Sequence, residues 1–253
     1  MLNLHHAGLI DTPSLSPLHG EVRAGELLAI VGPNGAGKTT LLTLLSGFRH
    51  SQLGPVTLDG WFLDAWTPAA LAGRRALVAQ FEPTGFDWRV RDLVVLSGDP
   101  GDAAVAEIMG QLELSRLAGR GVLSLSGGER QRVMVARALC QLAAAPRDDK
   151  ARDGGLLLLD EPTSALDIGQ QQRMMRLLRR LAAERHMAVV GVLHDLNLAA
   201  TYADRVWLMA AGKRVAHGTP DQVLETERLA LTYRAELQAL ERDGAAPWLA
   251  LKP

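Results

Sequence analysis

The stretch LLAIVGPNGAGKTTLLTLLSG, residues 27–47, restricts the fold of this chain more than any other feature. LLAIV (27–31) is a short, wholly apolar run of the kind that forms a buried strand. Gly32, Gly35 and Gly37 then interrupt it, and the residues from Lys38 onward return to a helical pattern. A strand that passes through a glycine loop into a helix leaves backbone N–H groups free at the helix start, where they attract an anion. GPNGAGKT also satisfies the pattern G-x-x-x-x-G-K-[ST]. The glycines let the backbone curl around phosphate, Lys38 reaches the terminal phosphates, and the Thr39 hydroxyl can ligate Mg²⁺. We therefore take Gly32, Pro33, Asn34, Gly35, Ala36, Gly37, Lys38, Thr39 and Thr40 as the phosphate-binding loop.

The rest of the chain extends this strand, loop and helix unit. VTLDG (56–60), ALVAQ (76–80), LLLLD (156–160) and AVVGVLH (188–194) read as further strands. TPAALAGR (67–74) reads as a helical turn, with Thr67 as its cap and Pro68 at its first position. A longer helix is expected from about Ile168 to His186. Alternating strands and helices imply an α/β fold with a parallel sheet covered on both faces. Between about Asp92 and Leu142 the texture is helical, which predicts a separate lobe. The polar stretch 143–155 reads as an exposed loop, and residues 206–218 as a hairpin turning at Ala211, Gly212 and Lys213. The remainder, 219–253, is read as mostly helical.

Charge and composition exclude several classes. Lys and Arg total 27 against 28 for Asp and Glu, so no whole-chain basic field favours nucleic acid. No nucleic-acid partner is expected. Apolar runs such as 156–159 are far shorter than the ~20 residues that span a bilayer, so work at a membrane requires a partner that does the spanning. The N-terminus lacks the pattern of a secretory leader, which places the chain in the cytosol. Cys140 is the single cysteine and reads as a buried apolar residue. Trp61, Trp66, Trp88 and Trp207 read as packing residues.

Two further stretches carry chemistry. LLLLDE puts Asp160 at the carboxyl end of a buried strand, where open parallel sheets bind ligands. Asp160 would sit beside Mg²⁺, and Glu161 can accept a proton from an attacking water. LSGGERQR (125–132) is a second helix start with free N–H groups, built from Leu125, Ser126, Gly127, Gly128 and Glu129. A chain that needs two such cradles has two anions to hold, or one anion shared between copies.

In order, the phosphate loop, Gln80, LSGGERQR, LLLLDEP, SALD (164–167) and His194 resemble the ATP-binding cassette ATPases over nearly all of residues 20–220. That resemblance implies a P-loop NTPase: a RecA-like core of mostly parallel sheet with antiparallel N-terminal strands and an inserted helical signature subdomain. It divides the chain into a nucleotide-binding core at 1–79 and 153–218, a Gln80 loop and signature subdomain at 80–152, and a helical extension at 219–253. It implies ATP and Mg²⁺ as the bound groups, with Thr39, Gln80 and Asp160 around the metal. Glu161 is then the base, assisted by Gln80 and His194. Residues 125–129 face the ATP of a second copy, and Asp167 lies between the copies. One departure concerns the base of the nucleotide: family members place an aromatic residue upstream of the loop, and residues 1–31 contain none, leaving His5, His6 or His19 as weaker platforms.

The partners implied are a second copy, two transmembrane permease subunits and, indirectly, a periplasmic substrate-binding protein. The location implied is the cytoplasmic face of the cell membrane, with exposed-looking Phe81, Phe86 and Trp88 meeting the permease. HDLNLAATYADRVWLMAAGKRVAHGTP and LDAWTPAALAGRRALVAQ resemble the ATPases of importers for large metal chelates. The short segment SPLHGEVRAGE is most similar to the cobalamin branch, which implies cobalamin uptake. Haem or iron–siderophore uptake is the alternative, and a soluble cassette without a transporter a more distant one.

Overall fold

The computed structural model describes residues 1–80, 85–145, 154–240 and 248–252. Strands β1 (Leu2–Leu9) and β2 (Leu15–Val22) pair antiparallel, and β3 (Leu27–Val31) leads into α1 (Lys38–Leu45). Next come β4 (Val56–Leu58), β5 (Trp61–Phe62), α2 (Pro68–Arg74), β6 (Arg75–Val78), α3 (Val90–Val95), α4 (Asp102–Gln111) and α5 (Gly127–Ala144). The second half alternates β7 (Leu156–Asp160), α6 (Ile168–Arg185), β8 (Ala188–Val192), α7 (Leu196–Tyr202), β9 (Arg205–Ala210) and β10 (Lys213–Gly218). It closes with α8 (Pro220–Val223), α9 (Thr226–Tyr233), β11 (Leu237–Leu240) and β12 (Trp248–Leu251).

The main sheet has the order β10-β9-β3-β8-β7-β6, and all of its pairs are parallel except β9 with β10. A second, antiparallel sheet runs β2-β1-β4-β5. Every residue of β3 is buried. Leu27, Ala29 and Val31 join the apolar cluster that holds the buried faces of α3 to α6, whereas Leu28 and Ile30 join the cluster of α1 and the N-terminal sheet. Alternate side chains of one strand therefore feed two cores, as a sheet covered on both faces requires. The fold is that of an α/β P-loop NTPase. Leu158 is fully buried in the second cluster. Leu158→Ala is expected to cost about 2–5 kcal/mol of stability, measured by denaturant unfolding.

Thr67 caps α2 as expected, accepting a hydrogen bond from the Ala70 amide at 3.3 Å with Pro68 in the first helical position. The expectation of a polar loop at 143–155 falls largely outside the described residues.

Two readings need correction. The C-terminal segment is not simply a helical extension: α9 stops where Arg234 takes φ 54°, and β11 and β12 then pair antiparallel. A left-handed residue ends a helix whatever the propensity of the residues after it. Leu237 and Leu249 from the two strands pack on the core, and Asn197 of α7 clamps the Leu249 backbone, donating from Nδ2 at 3.1 Å and accepting at Oδ1 at 2.8 Å. Among the tryptophans, Trp207 is fully buried under the Arg214 guanidinium, but Trp61 is 69% exposed on the edge strand β5.

Candidate active site

At the end of β3 the chain enters a loop whose glycines take conformations closed to other residues. Gly32, Gly35 and Gly37 have φ of 151°, 76° and 93°. A methyl group on Gly32 would lie 2.2 Å from the Met209 carbonyl oxygen, whereas one on Gly35 would meet no protein atom within 4 Å. Gly35 thus keeps a face of the loop open to a ligand. No side chain caps α1, so the amides of its first turn remain available to an anion. Lys38 is buried, and its Nζ donates to the carbonyls of Gly32 at 2.8 Å and Pro33 at 3.0 Å. Burial holds its ammonium below the ordinary lysine value, while Glu161 and Asp160 act in the opposite direction.

Three neighbouring parallel strands, β6, β7 and β8, deliver the residues opposite the loop. Their carboxyl ends lie side by side, so Gln80, Glu161 and His194 converge. Gln80 Nε2 donates to Glu161 Oε2 at 2.6 Å, and His194 Nε2 is hydrogen-bonded to Glu161 Oε1. Glu161 has φ 54°, an uncommon conformation for a residue with a side chain. Strained backbone of this kind concentrates at functional sites.

Asp160, at the end of β7, is 4% exposed, and its Oδ1 is buried without a hydrogen-bond partner. Burial raises its carboxyl above the usual range, with a hydrogen bond from the Thr39 side chain acting in the opposite direction. An orphaned carboxylate oxygen beside a threonine hydroxyl fits Mg²⁺. Among the described residues no group of three His, Cys, Asp or Glu side chains could hold a metal. Because the folded carboxyl titrates above its unfolded value, stability falls as pH rises through that interval. Asp160→Asn should therefore raise the melting temperature by roughly 2–4 °C at pH 7 in metal-free buffer, with a smaller gain at pH 4, and abolish Mg²⁺-dependent turnover.

The second cradle is a helix start with its own cap. Ser126 Oγ accepts from the Glu129 amide at 3.2 Å and Glu129 Oε2 accepts from the Ser126 amide at 2.8 Å, a capping box that opens α5. The serine hydroxyl keeps its proton to donate, and the box takes the Glu129 amide, so the Gly127 and Gly128 amides of the same turn are left free of the cap. Leu125 is buried beneath them. Asp167 is exposed and caps α6 through the Gln170 amide at 2.8 Å, so it also has a local structural role.

Residues 14–16 reach the phosphate loop through Gly212 and Leu15: Ser16 N donates to Gly212 O at 2.8 Å, Gly212 N to Ala36 O at 3.0 Å, and a methyl group on Gly37 would lie 3.7 Å from Leu15 Cδ1. His5 and His19 instead line a separate cleft with Glu21, Arg23, Arg205 and Arg214, and His6 contacts His19. Residue Phe81 lies outside the described residues. Sequence reasoning missed Gln131, whose side chain reaches the backbone of Glu161 and Ala165. It is a half-buried glutamine on a helix that otherwise buries apolar residues, and no local sequence pattern marks it. Cys140 is buried as expected, and burial pushes its thiol up to about 11.

A glycine loop at a strand end, a buried aspartate on the next strand but one and a glutamate carboxylate bridged by glutamine and histidine fit a P-loop nucleotide hydrolase. The chain belongs to the ABC transporter family, whose profile matches residues 15–164, and is an ATPase of that family. It is 42% identical to the hemin import ATP-binding protein HmuV of Enterobacter cloacae, over 94% of this chain and 89% of that one. A structure described as an inward-facing metal-chelate type ABC transporter matches at a TM-score of 0.79 and 26% identity, covering 100% of this chain and 97% of that one. The dimeric ATP-binding cassette MJ0796 with ADP and Pi matches at 0.72 and 25% identity, over 87% and 99% of the two chains. Among the described residues no helix is long and apolar enough to cross a membrane.

Proposed function

We propose that this chain is the ATP-hydrolysing subunit of an importer for a large metal chelate, with cobalamin as cargo. The observation that carries the enzymatic part is the meeting of Gln80 and His194 on the two carboxylate oxygens of Glu161. In this reading Lys38 and the amides of 32–40 bind the phosphates of ATP. Thr39 and Asp160 hold Mg²⁺, which supplies charge neutralisation when bound. Glu161 takes the proton of the attacking water, Gln80 and His194 fix its carboxylate, and positioning with charge stabilisation lowers the rest of the barrier.

Two copies would pack head to tail, so that Ser126, Gly127 and Gly128 of each complete the other's site and Asp167 lies between them. Closure on ATP and reopening after hydrolysis would then drive two permease subunits fed by a periplasmic binding protein, at the cytoplasmic face of the membrane. Exposed Phe86 and Trp88, which come after Gln80 in the chain, offer an apolar surface for the permease.

Cobalamin rests on the short N-terminal segment, whose residues 14–16 lie along the phosphate loop without an aromatic ring. A second reading, haem uptake, is favoured by the similarity to a hemin import protein. Because the cassette does not touch cargo, reconstitution decides. ATPase rate is measured in vesicles carrying this chain with cobalamin or hemin permeases and their loaded binding proteins. Stimulation by the cobalamin system alone is expected; stimulation by the hemin system alone would replace cobalamin with haem.

A further inference from the structure

The base at the end of β7 is held from a direction its own strand cannot provide. Gln131, on the second turn of α5, donates from Nε2 to the Glu161 carbonyl and accepts at Oε1 from the Ala165 amide at 3.3 Å. Both edges of one amide are spent on a single short segment. Three residues earlier on the same helix, a methyl group on Gly128 would lie 2.9 Å from the Ala165 carbonyl oxygen and 3.0 Å from Leu166 Cδ2, so helix and segment meet almost backbone to backbone. From α6, Gln171 Nε2 donates to the Thr163 carbonyl at 3.2 Å.

This grip coincides with the left-handed conformation of Glu161. Such a conformation persists only where the surroundings over-determine it. The carboxylate reaches both Gln80 and His194 from that backbone, and relaxing φ would swing it away from one or both.

We propose that Gln131 is a positioning residue for hydrolysis: it fixes the main chain at 161–165 so that the Glu161 carboxylate stays between Gln80 and His194. The inference rests on Glu161 being the base, as proposed for the site. Its competitor is a role for Gln131 in shaping the helix start at 125–129. The two differ in which step fails, because a lost base position slows chemistry, whereas a distorted helix start weakens closure on ATP.

The test uses the full chain with Gln131→Met, which keeps the length without the hydrogen bonds, and Gln131→Glu, which keeps only an acceptor for Ala165 N–H when ionised. We expect kcat to fall about 10- to 100-fold in both, with the KM for ATP and the melting temperature unchanged. Hydrogen exchange at the Ala165 amide should accelerate in Gln131→Met alone. Should Gln131→Met melt early, Gln131→Glu decides.

In a Glu161→Gln background, adding Gln131→Met should alter neither the residual rate nor the ATP-dependent dimer seen by size exclusion, since a residue that acts only through Glu161 has nothing left to lose. A kcat within twofold of wild type in both single variants would overturn the proposal. So would loss of the dimer in the double variant. A Glu161→Gln chain with normal turnover would instead remove the base assignment, and this inference with it.

Discussion

Glu161→Gln is expected to lower kcat by about 10²- to 10⁴-fold, the usual contribution of a positioned general base. The amide keeps the size of the side chain and can still meet Gln80 and His194, so the architecture around it survives. What it loses is the capacity to take a proton from water. Binding of ATP, assigned in the proposed site to Lys38 and the loop amides, should be unchanged in a fluorescent-nucleotide titration. With chemistry blocked and binding intact, Mg²⁺ and ATP should convert the variant to a stable dimer on size exclusion. Normal phosphate release from this variant would move the base elsewhere.

Ser126→Arg is the second large effect. The serine hydroxyl is the acceptor for the Glu129 amide, and a large cation there both breaks the capping box and fills the space above the Gly127 and Gly128 amides. Turnover should fall at least about 100-fold, the scale of losing one phosphate-facing donor. Affinity of the chain's own phosphate loop for ATP should not change. The decisive measurement mixes two inactive chains, Ser126→Arg and Lys38→Ala. In a head-to-tail dimer one of the two sites draws its loop from the first chain and its helix start from the second, and is intact. Recovery of hydrolysis on mixing is expected, and no recovery would mean that each helix start serves its own chain.

Some of this site was legible in the sequence because its parts are contiguous. The phosphate loop and Asp160-Glu161 each come directly after an apolar run, so local pattern gives both the element and the place of the residue on it. Gln80 and His194 are 81 and 33 residues from Glu161, and their meeting depends on β6, β7 and β8 being neighbours in the sheet. The resemblance to a family gave those two residues their roles, but the strand order that brings them together is seen only in the structure. Gln131 was hidden because its partners are set by how closely α5 approaches the segment after β7, which no periodicity records. The C-terminal hairpin was misread for a related reason: LALTYRAELQAL suits a helix locally, and the hydrogen bonds from Asn197 that hold β12 come from a distant element. Local propensity is a weak prior against such contacts.

The position of the Lys38 ammonium, donating to the Gly32 and Pro33 carbonyls, bears on how fast the protein engages its substrate. An ammonium has three N–H donors, so with two of them spent on these carbonyls the third is left, already aimed, for an incoming phosphate. The loop is kept at its working radius by its own side chain, which spares the incoming triphosphate the task of ordering it. Entry then requires neither bond to break, and the on-rate for ATP should respond to temperature no more steeply than diffusion does.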